Sequence, residues 1–298
     1  MTYLREKNRS FGSIAGEQRR SSTAILQFKV KSECLGSKSD VIVILPTPAA
    51  DILKEIPNCG FYQDGKKYQT LYLFHGTTGD CADWTRFSRI ESYAQEHMLA
   101  VVMPSVQNSN FHNIPGSYRY FDYVCDELPT IMNWTFPLSR KRENTFIAGL
   151  SMGGSGAFKC GMARPERFSA VACLPGGFQI HQIIENGYGN GEVPWAAAYR
   201  LGEMLTGTLE DPFWQAEQIM KDGEGYPALY LCCGTDDLIC YEANLAFKQH
   251  LDRIGMQYTY HEQPGTHDWD FWDDEIRRVL DWLPLKNGLV DEEQLPLR

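Results

Sequence analysis

Between Thr145 and Ala163 the chain passes from an apolar strand pattern, Thr145-Phe-Ile-Ala-Gly149, through Gly149-Leu150-Ser151-Met152-Gly153 into an apolar helical pattern from about residue 153. No other stretch limits the possible folds as tightly. A G-x-S-x-G set between a buried strand and a helix implies a strained strand-to-helix turn with the serine at its apex. Cβ groups at the flanking positions would collide with neighbouring backbone and close off the serine Oγ, so those positions are small. Gly154 and Gly156 carry the same relief of crowding into the helix. Such a turn belongs to a parallel sheet with helices packed on it, and the rest of the chain is expected to alternate strand and helix accordingly.

It does so. Apolar runs at Gln69–Phe74, Leu99–Pro104, Ala170–Leu174 and Ala228–Cys233 alternate with helical patterns near 84–97, 121–134 and 270–284. Each run is apolar enough to be covered on both faces. In the last helix Ile276, Val279, Leu280 and Leu283 form the stripe expected to pack on the sheet, with Glu275, Arg277 and Arg278 facing away. Near the start, Ala24–Val30 and Asp40–Leu45 flank the turn-rich Gly36-Ser-Lys-Ser39, the signature of an antiparallel hairpin at a sheet edge. The expected fold class is α/β: a mostly parallel central sheet with an N-terminal antiparallel hairpin, helices on both faces and a lid-like insertion. That insertion is expected at about 177–226, where Gly-rich and aromatic pieces such as Gly187–Gly191 and Asp211–Gln215 are too long for a simple connection. With 298 residues, 43% of them hydrophobic, the chain can bury a large core, and one domain over 23–298 is expected. Residues 1–22, rich in Arg, Lys, Ser and Gly, are expected to form a flexible arm.

Charge narrows the partners. A net charge of -10 and a pI near 5.2 give a surface that repels phosphate backbones and anionic lipid heads, against nucleic acid or membrane as partner. No apolar stretch approaches the ~20 residues that span a bilayer, and the first residues lack the apolar core of a secretory signal. Nine cysteines form an odd set without a C-x-x-C pair, and several lie in apolar runs, which fits reduced thiols and a cytoplasmic setting.

A serine hydroxyl is too weakly acidic to attack a carbonyl unaided; it requires a base, and the base a partner that fixes its tautomer. On a sheet of this kind the acid follows the nucleophile in the chain and the histidine comes last. After the strand ending Cys232-Cys233 comes Gly234-Thr-Asp-Asp237, and after Gln257–Glu262 comes Pro264-Gly-Thr-His267. Asp237 and His267 are the expected acid and base. Asp236 is the competing acid, and His261 the competing base within the preceding strand. The negative oxygen of a tetrahedral intermediate requires donors worth ~3 to 4 kcal/mol each. The amide of Met152 and that of Thr77, in Phe74-His75-Gly76-Thr77-Thr78-Gly79, are the candidates, with Thr78 next if the register slips. Substrate contacts are expected from His75, Gly76, Trp84, Trp195, Phe213 and Trp214, the alternative for the insertion's aromatics being core or lid packing.

The combination of His75-Gly-Thr-Thr-Gly-Asp80 with Asp83-Trp84, Asp126-Glu-Leu-Pro129, the Ser151 turn and Gly234-Thr-Asp-Asp237 resembles the esterase D family, in particular its tributyrin-esterase branch, over about 23–285. That family is similar to S-formylglutathione hydrolases and to acetyl-xylan and feruloyl esterases. The resemblance implies the α/β-hydrolase fold and a serine carboxylesterase acting on short acyl (acetyl, butyryl), cinnamoyl or acetyl-sugar esters through an acyl-enzyme. It also matches Ser151, Asp237 and His267 to the family's triad. The expected partner is a small ester, including acylated oligosaccharides and phenolic esters, and a homo-oligomer is expected only as a prior. No cofactor or metal is expected: His261, Glu262, His267, Asp268 and Asp270 match no familiar ligand spacing, and no phosphate-binding loop follows Ser151. A thioesterase or an acyltransferase could use the same triad. A ligand-binding protein on this fold would be marked by a lost triad member.

Overall fold

In the computed structural model, which describes residues 23–48, 61–114, 116–178, 205–223 and 225–292, eight strands form one sheet in the order β1-β2-β5-β4-β6-β7-β8-β9. These are β1 (Thr23–Ser32), β2 (Ser37–Pro46), β4 (Gln69–Phe74), β5 (Leu99–Pro104), β6 (Thr145–Ser151), β7 (Ala170–Gly176), β8 (Ala228–Gly234) and β9 (Thr259–Gln263). A two-stranded ladder of β3 (Lys66–Lys67) and β10 (Val290–Asp291) stands apart. The β1–β2 hairpin is antiparallel from Thr23↔Pro46 to Ser32↔Ser37 and joins β5 antiparallel through β2, whereas every pair from β5 to β9 is parallel. The expected arm, and the part of the insertion from 179 to 204 that holds Trp195, lie outside the described residues.

Residues of β4 and β5 are buried on both faces, as their apolar runs require. Side chains alternate between the faces with the strand period. Tyr72, Val102, Ile147 and Val171 enter one core, and Leu71, Val101, Phe146 and Ala172 enter the other. The helices are α1 (Asp83–Phe87), α2 (Ile90–His97), α3 (Tyr120–Asp122), α4 (Leu128–Thr135), α5 (Met152–Ala163), α6 (Pro212–Asp222), α7 (Tyr241–Ile254) and α8 (Trp269–Trp282).

Two helices differ from the expected single runs. The segment near 84–97 breaks at Ser88, whose backbone is extended and whose Oγ donates to Trp84 O and accepts from the Ile90 amide, restarting the helix as α2. The segment near 121–134 widens into a π turn at Tyr123–Glu127, with the Leu128 amide reaching back to Tyr123 O. Pro129 follows at once, and a proline has no amide to give to the carbonyl four residues earlier. The last helix corrects a third expectation. Ile276, Val279 and Leu280 are buried as expected, but so is Glu275, at 0% exposure. Its carboxylate accepts from Tyr230 Oη at 3.1 Å and meets His261 Nδ1 at 2.7 Å, which satisfies a charge that helical periodicity alone would send to solvent.

A second buried cluster fastens the segment ahead of α6 to α5. Lys159 Nζ donates to Glu210 Oε2 at 2.6 Å, and His112 pairs with the same oxygen. Burial pushes the Glu210 carboxyl up, but the Lys159 and His112 charges more than offset that and hold it at about 2. Among the described residues no helix is long and apolar enough to cross a membrane. The carboxyl ends of β4, β6, β8 and β9 point the same way, so the loops that follow them collect at one edge of the sheet.

Candidate active site

Ser151 ends β6 and precedes α5 with φ 53° and ψ -120°, a left-handed conformation that costs an L-residue about 1 to 3 kcal/mol. Backbone crowds the turn on every side that its glycines face. A Cβ on Gly149 would lie 2.3 Å from Gly153 O, one on Gly153 2.5 Å from His75 O, and one on Gly154 2.7 Å from Pro175 O. The ladder to β7 slips at the same point, with Leu150 facing Leu174 and Ser151 facing Gly176. The skipped residue is Pro175, which has no amide to pair.

His267 lies in the loop between β9 and α8. Its Nε2 is 3.0 Å from Ser151 Oγ and its Nδ1 is 2.7 Å from Asp237 Oδ2. The other Asp237 oxygen accepts the amides of Ile239 at 2.9 Å and Cys240 at 2.8 Å. Burial pushes the Asp237 carboxyl up, but the His267 hydrogen bond and charge, with the two amides, outweigh it and hold the carboxyl below its usual range. Asp236 is exposed, and its amide donates to Gly265 O at 3.0 Å. Thr235 N also donates to Gln263 O at 3.0 Å, and a Cβ on Gly234 would strike Gly265 O at 2.2 Å. The loops after β8 and β9 are therefore joined backbone to backbone, which fixes carboxylate against imidazole. The Trp272 ring stands edge to face on His267, 5.0 Å between centroids at 89°.

The turn after β4 closes with the Gly79 amide on Gly76 O at 3.2 Å. The Thr78 amide is committed to Asn108 Oδ1 at 2.7 Å, and Thr78 takes a positive φ of 66°. Gly76 and Thr77 line a cavity of about 560 Å³ together with Ser151 and His267. His75 does not line it. It is 1% exposed, its Nδ1 faces Gly76 O at 2.7 Å, and its Nε2 accepts the Val106 amide at 3.1 Å, tying the β4 loop to the β5 loop. Burial lowers its pKa, consistent with a neutral ring that donates at one nitrogen and accepts at the other.

Two more of the expected substrate contacts fall elsewhere. Trp84 is 1% exposed and gives its indole N–H to Phe74 O at 3.0 Å, so it lies beneath the cavity rather than in its wall. Phe213 and Trp214 open α6, where Asp211 caps their amides; Phe213 packs edge to face on Phe247 and His250, and neither residue is among the described lining. The aromatic wall is made instead by Phe87, Trp269 and Trp272, with Phe87 and Trp269 5.3 Å apart. Asp80, Asp83 and Asp268 add carboxylates, and among the described lining residues Arg86 is the cation. Burial, with Asp80 nearby, raises the Asp83 carboxyl above its usual value. A signal for the missed wall was available: Trp269 stands two positions beyond His267, and Asp80 through Phe87 follow directly on the glycine turn.

Asp237, Cys240 and His267 bring an oxygen, a sulfur and a nitrogen that could ligate a metal within 4.8 Å of one another. The described residues along His261–Asp270 form no such group among themselves, and His261 is engaged with Glu275. Chemically, a hydroxyl on a strained turn, bonded to an imidazole that a buried carboxylate orients, is equipped to attack an acyl carbon and pass its proton to the ring.

The family described as "Putative esterase" matches residues 52–283. The chain is 31% identical over 268 residues to an acetyl esterase of Caldicellulosiruptor saccharolyticus, covering 87% of this chain and 98% of that protein. Among solved structures it is similar to fluorophosphonate-binding serine hydrolase F of Staphylococcus aureus, substrate bound, at 31% identity and a TM-score of 0.78 over 88% of this chain and 98% of that one. It is also similar to an S-formylglutathione hydrolase of Staphylococcus aureus, solved as the apoenzyme, at 30% identity and a TM-score of 0.76, covering 88% and 99%.

Proposed function

The chain belongs to this esterase family and has its α/β-hydrolase fold, and from that premise we propose that it is a serine carboxylesterase whose nucleophile is Ser151. The observation that carries the proposal is the His267 bridge, 3.0 Å to Ser151 Oγ and 2.7 Å to Asp237, at the wall of the cavity. Ser151 Oγ attacks the ester carbonyl as His267 Nε2 takes its proton, and Asp237 steadies the imidazolium. The amides of Met152 and Thr77 receive the oxyanion; commitment of the Thr78 amide to Asn108 favours Thr77 as the second donor. The alcohol leaves with the proton from His267, and water activated by the same ring then frees the carboxylic acid.

The substrate reading is a short-chain acyl ester of a neutral alcohol. Phe87, Trp269 and Trp272 offer flat apolar faces, and Asp80, Asp83 and Asp268 offer acceptors for hydroxyl groups, a combination suited to an acetylated sugar or a phenolic ester. The same carboxylates disfavour an acidic leaving group such as glutathione. A reducing, cytoplasmic setting is part of the proposal, supported by thiols at all eight described cysteines.

The test is turnover of 4-nitrophenyl acetate, butyrate and octanoate, methyl ferulate, acetylated xylo-oligosaccharide and S-formylglutathione by wild type and by Ser151→Ala. We expect neutral short-chain esters to lead, and kcat in the variant to fall on the order of 10⁶-fold. Equal activity in the variant would overturn the nucleophile assignment, and preference for S-formylglutathione would overturn the substrate reading.

A further inference from the structure

The loops that join acid to base also bring a thiol to them. Cys240 precedes α7 three residues beyond Asp237, is 1% exposed, and supplies one of the amides that hold Asp237 Oδ1. Its Sγ, an Asp237 carboxylate oxygen and a His267 ring nitrogen lie mutually within 4.8 Å. Hydrolysis by the serine route makes no use of that sulfur. One sulfur, one nitrogen and one oxygen within 4.8 Å of one another form the donor mixture chosen by Zn²⁺ and its softer relatives, and a cation taking them at about 2.0 to 2.3 Å each would open the 2.7 Å contact between His267 and Asp237. Mg²⁺ and Ca²⁺ require six or more oxygens and find no such shell here.

We propose that Asp237, Cys240 and His267 form an inhibitory site for a soft divalent cation of the Zn²⁺ class. The cation reaches the site through His267, the member that faces the cavity. In the working tautomer His267 Nδ1 carries a proton toward Asp237 and the Nε2 lone pair faces Ser151. A metal bound at Nδ1 takes the lone pair of that nitrogen, so the ring proton resides on Nε2 instead. The Cys240 S–H bond breaks as the sulfur–metal bond forms, and that proton is released to solvent. No electron changes hands. With Nε2 protonated, the ring donates to Ser151 Oγ and cannot accept its proton, so acyl transfer stops. The inhibitory consequence rests on the triad reading above, whereas the metal site itself does not.

The experiment pairs ester hydrolysis under ZnCl₂, CdCl₂ or MgCl₂, with reversal by EDTA, in wild type, Cys240→Ala and Cys240→Ser, with Co²⁺ titration of Ser151→Ala. Both Cys240 variants keep the backbone amide that Asp237 accepts, and the zinc sensitivity of each is read relative to its own metal-free activity. Zinc and cadmium should inhibit wild type where magnesium does not, and the Cys240 variants should need at least about tenfold more zinc, the smallest loss usual when a metal site is weakened. Ser151→Ala should show a thiolate-to-cobalt charge-transfer band that disappears in the Ser151→Ala, Cys240→Ala double variant. Equal zinc sensitivity in both Cys240 variants, or cobalt binding without that band, would overturn the proposal. The cobalt arm requires no turnover, so its failure is distinguishable from failure of the esterase reading.

Discussion

Two carboxylate–imidazole pairs stand close together in the last third of the sequence, and of these two only one has a serine hydroxyl on its far nitrogen. His267 Nδ1 lies 2.7 Å from Asp237, His261 Nδ1 lies 2.7 Å from Glu275, and both carboxylates are wholly buried. What differs is the hydroxyl. Ser151 Oγ sits on the far nitrogen of His267, at a strained turn opening on the cavity, so imidazole and hydroxyl can exchange a proton where a substrate can reach. Tyr230 Oη instead donates to the second oxygen of Glu275, and burial together with the Glu275 charge pushes that phenol's pKa up, out of reach of any base nearby. The second trio joins β8, β9 and α8 as a strut. On the proposed reading a buried carboxylate on a histidine is no mark of catalysis by itself; the hydroxyl on the ring's other nitrogen decides.

The comparison can be broken most sharply at its acids. Asp237→Asn should lower kcat on the order of 10⁴-fold while leaving the fold intact, because an amide favours the wrong imidazole tautomer; steady-state kinetics alongside circular dichroism measure both. Glu275→Gln should do the reverse, leaving kcat unchanged and costing about 1 to 3 kcal/mol of stability, because Tyr230 Oη and His261 lose a charged acceptor inside the fold, seen as a lower Tm in calorimetry. If Glu275→Gln instead lost activity as Asp237→Asn does, the two trios would be one connected device. The smallest effect is expected at His261→Gln. That side chain is 32% exposed, so solvent screens its pairing, and a stability loss under about 1 kcal/mol is expected from denaturant titration. A loss as large as that of Glu275→Gln would show that the strut depends on the imidazole charge rather than on the buried carboxylate.

The turn around Ser151 was legible because its constraint is local. Glycines at 149, 153 and 154 answer to backbone atoms less than 3 Å from where a Cβ would be, and such crowding leaves a pattern in consecutive residues. Asp237 and His267 were legible through chain order, since parallel strands present their following loops at one edge. Glu275 was not, because its partners Tyr230 and His261 belong to other elements and a helical period sees only a charged residue beside charged residues. Trp84 and Phe213 show the same limit for aromatic residues. Their ring types suit a substrate wall as well as a core, and only the packing of α1 beneath Trp269 and of α6 on α7 decides which. Phe87 and Trp269 reach the wall from positions 182 residues apart in the sequence, a proximity that no local pattern records.

The proposed triad hangs from β6, the β8 loop and the β9 loop, and β9 is the outermost of the described strands on its side of the sheet. Synthesis runs in the same order. On the proposed reading, a nascent chain that has emerged only as far as Tyr258 already carries the strained serine, both candidate amide donors and the candidate acid, yet neither the candidate base nor the strand β9 that precedes it. If the triad is as proposed, reactivity waits for the segment that holds β9 and His267, and fragments that stop short of it are expected to be inert toward esters by construction rather than by any inhibitor.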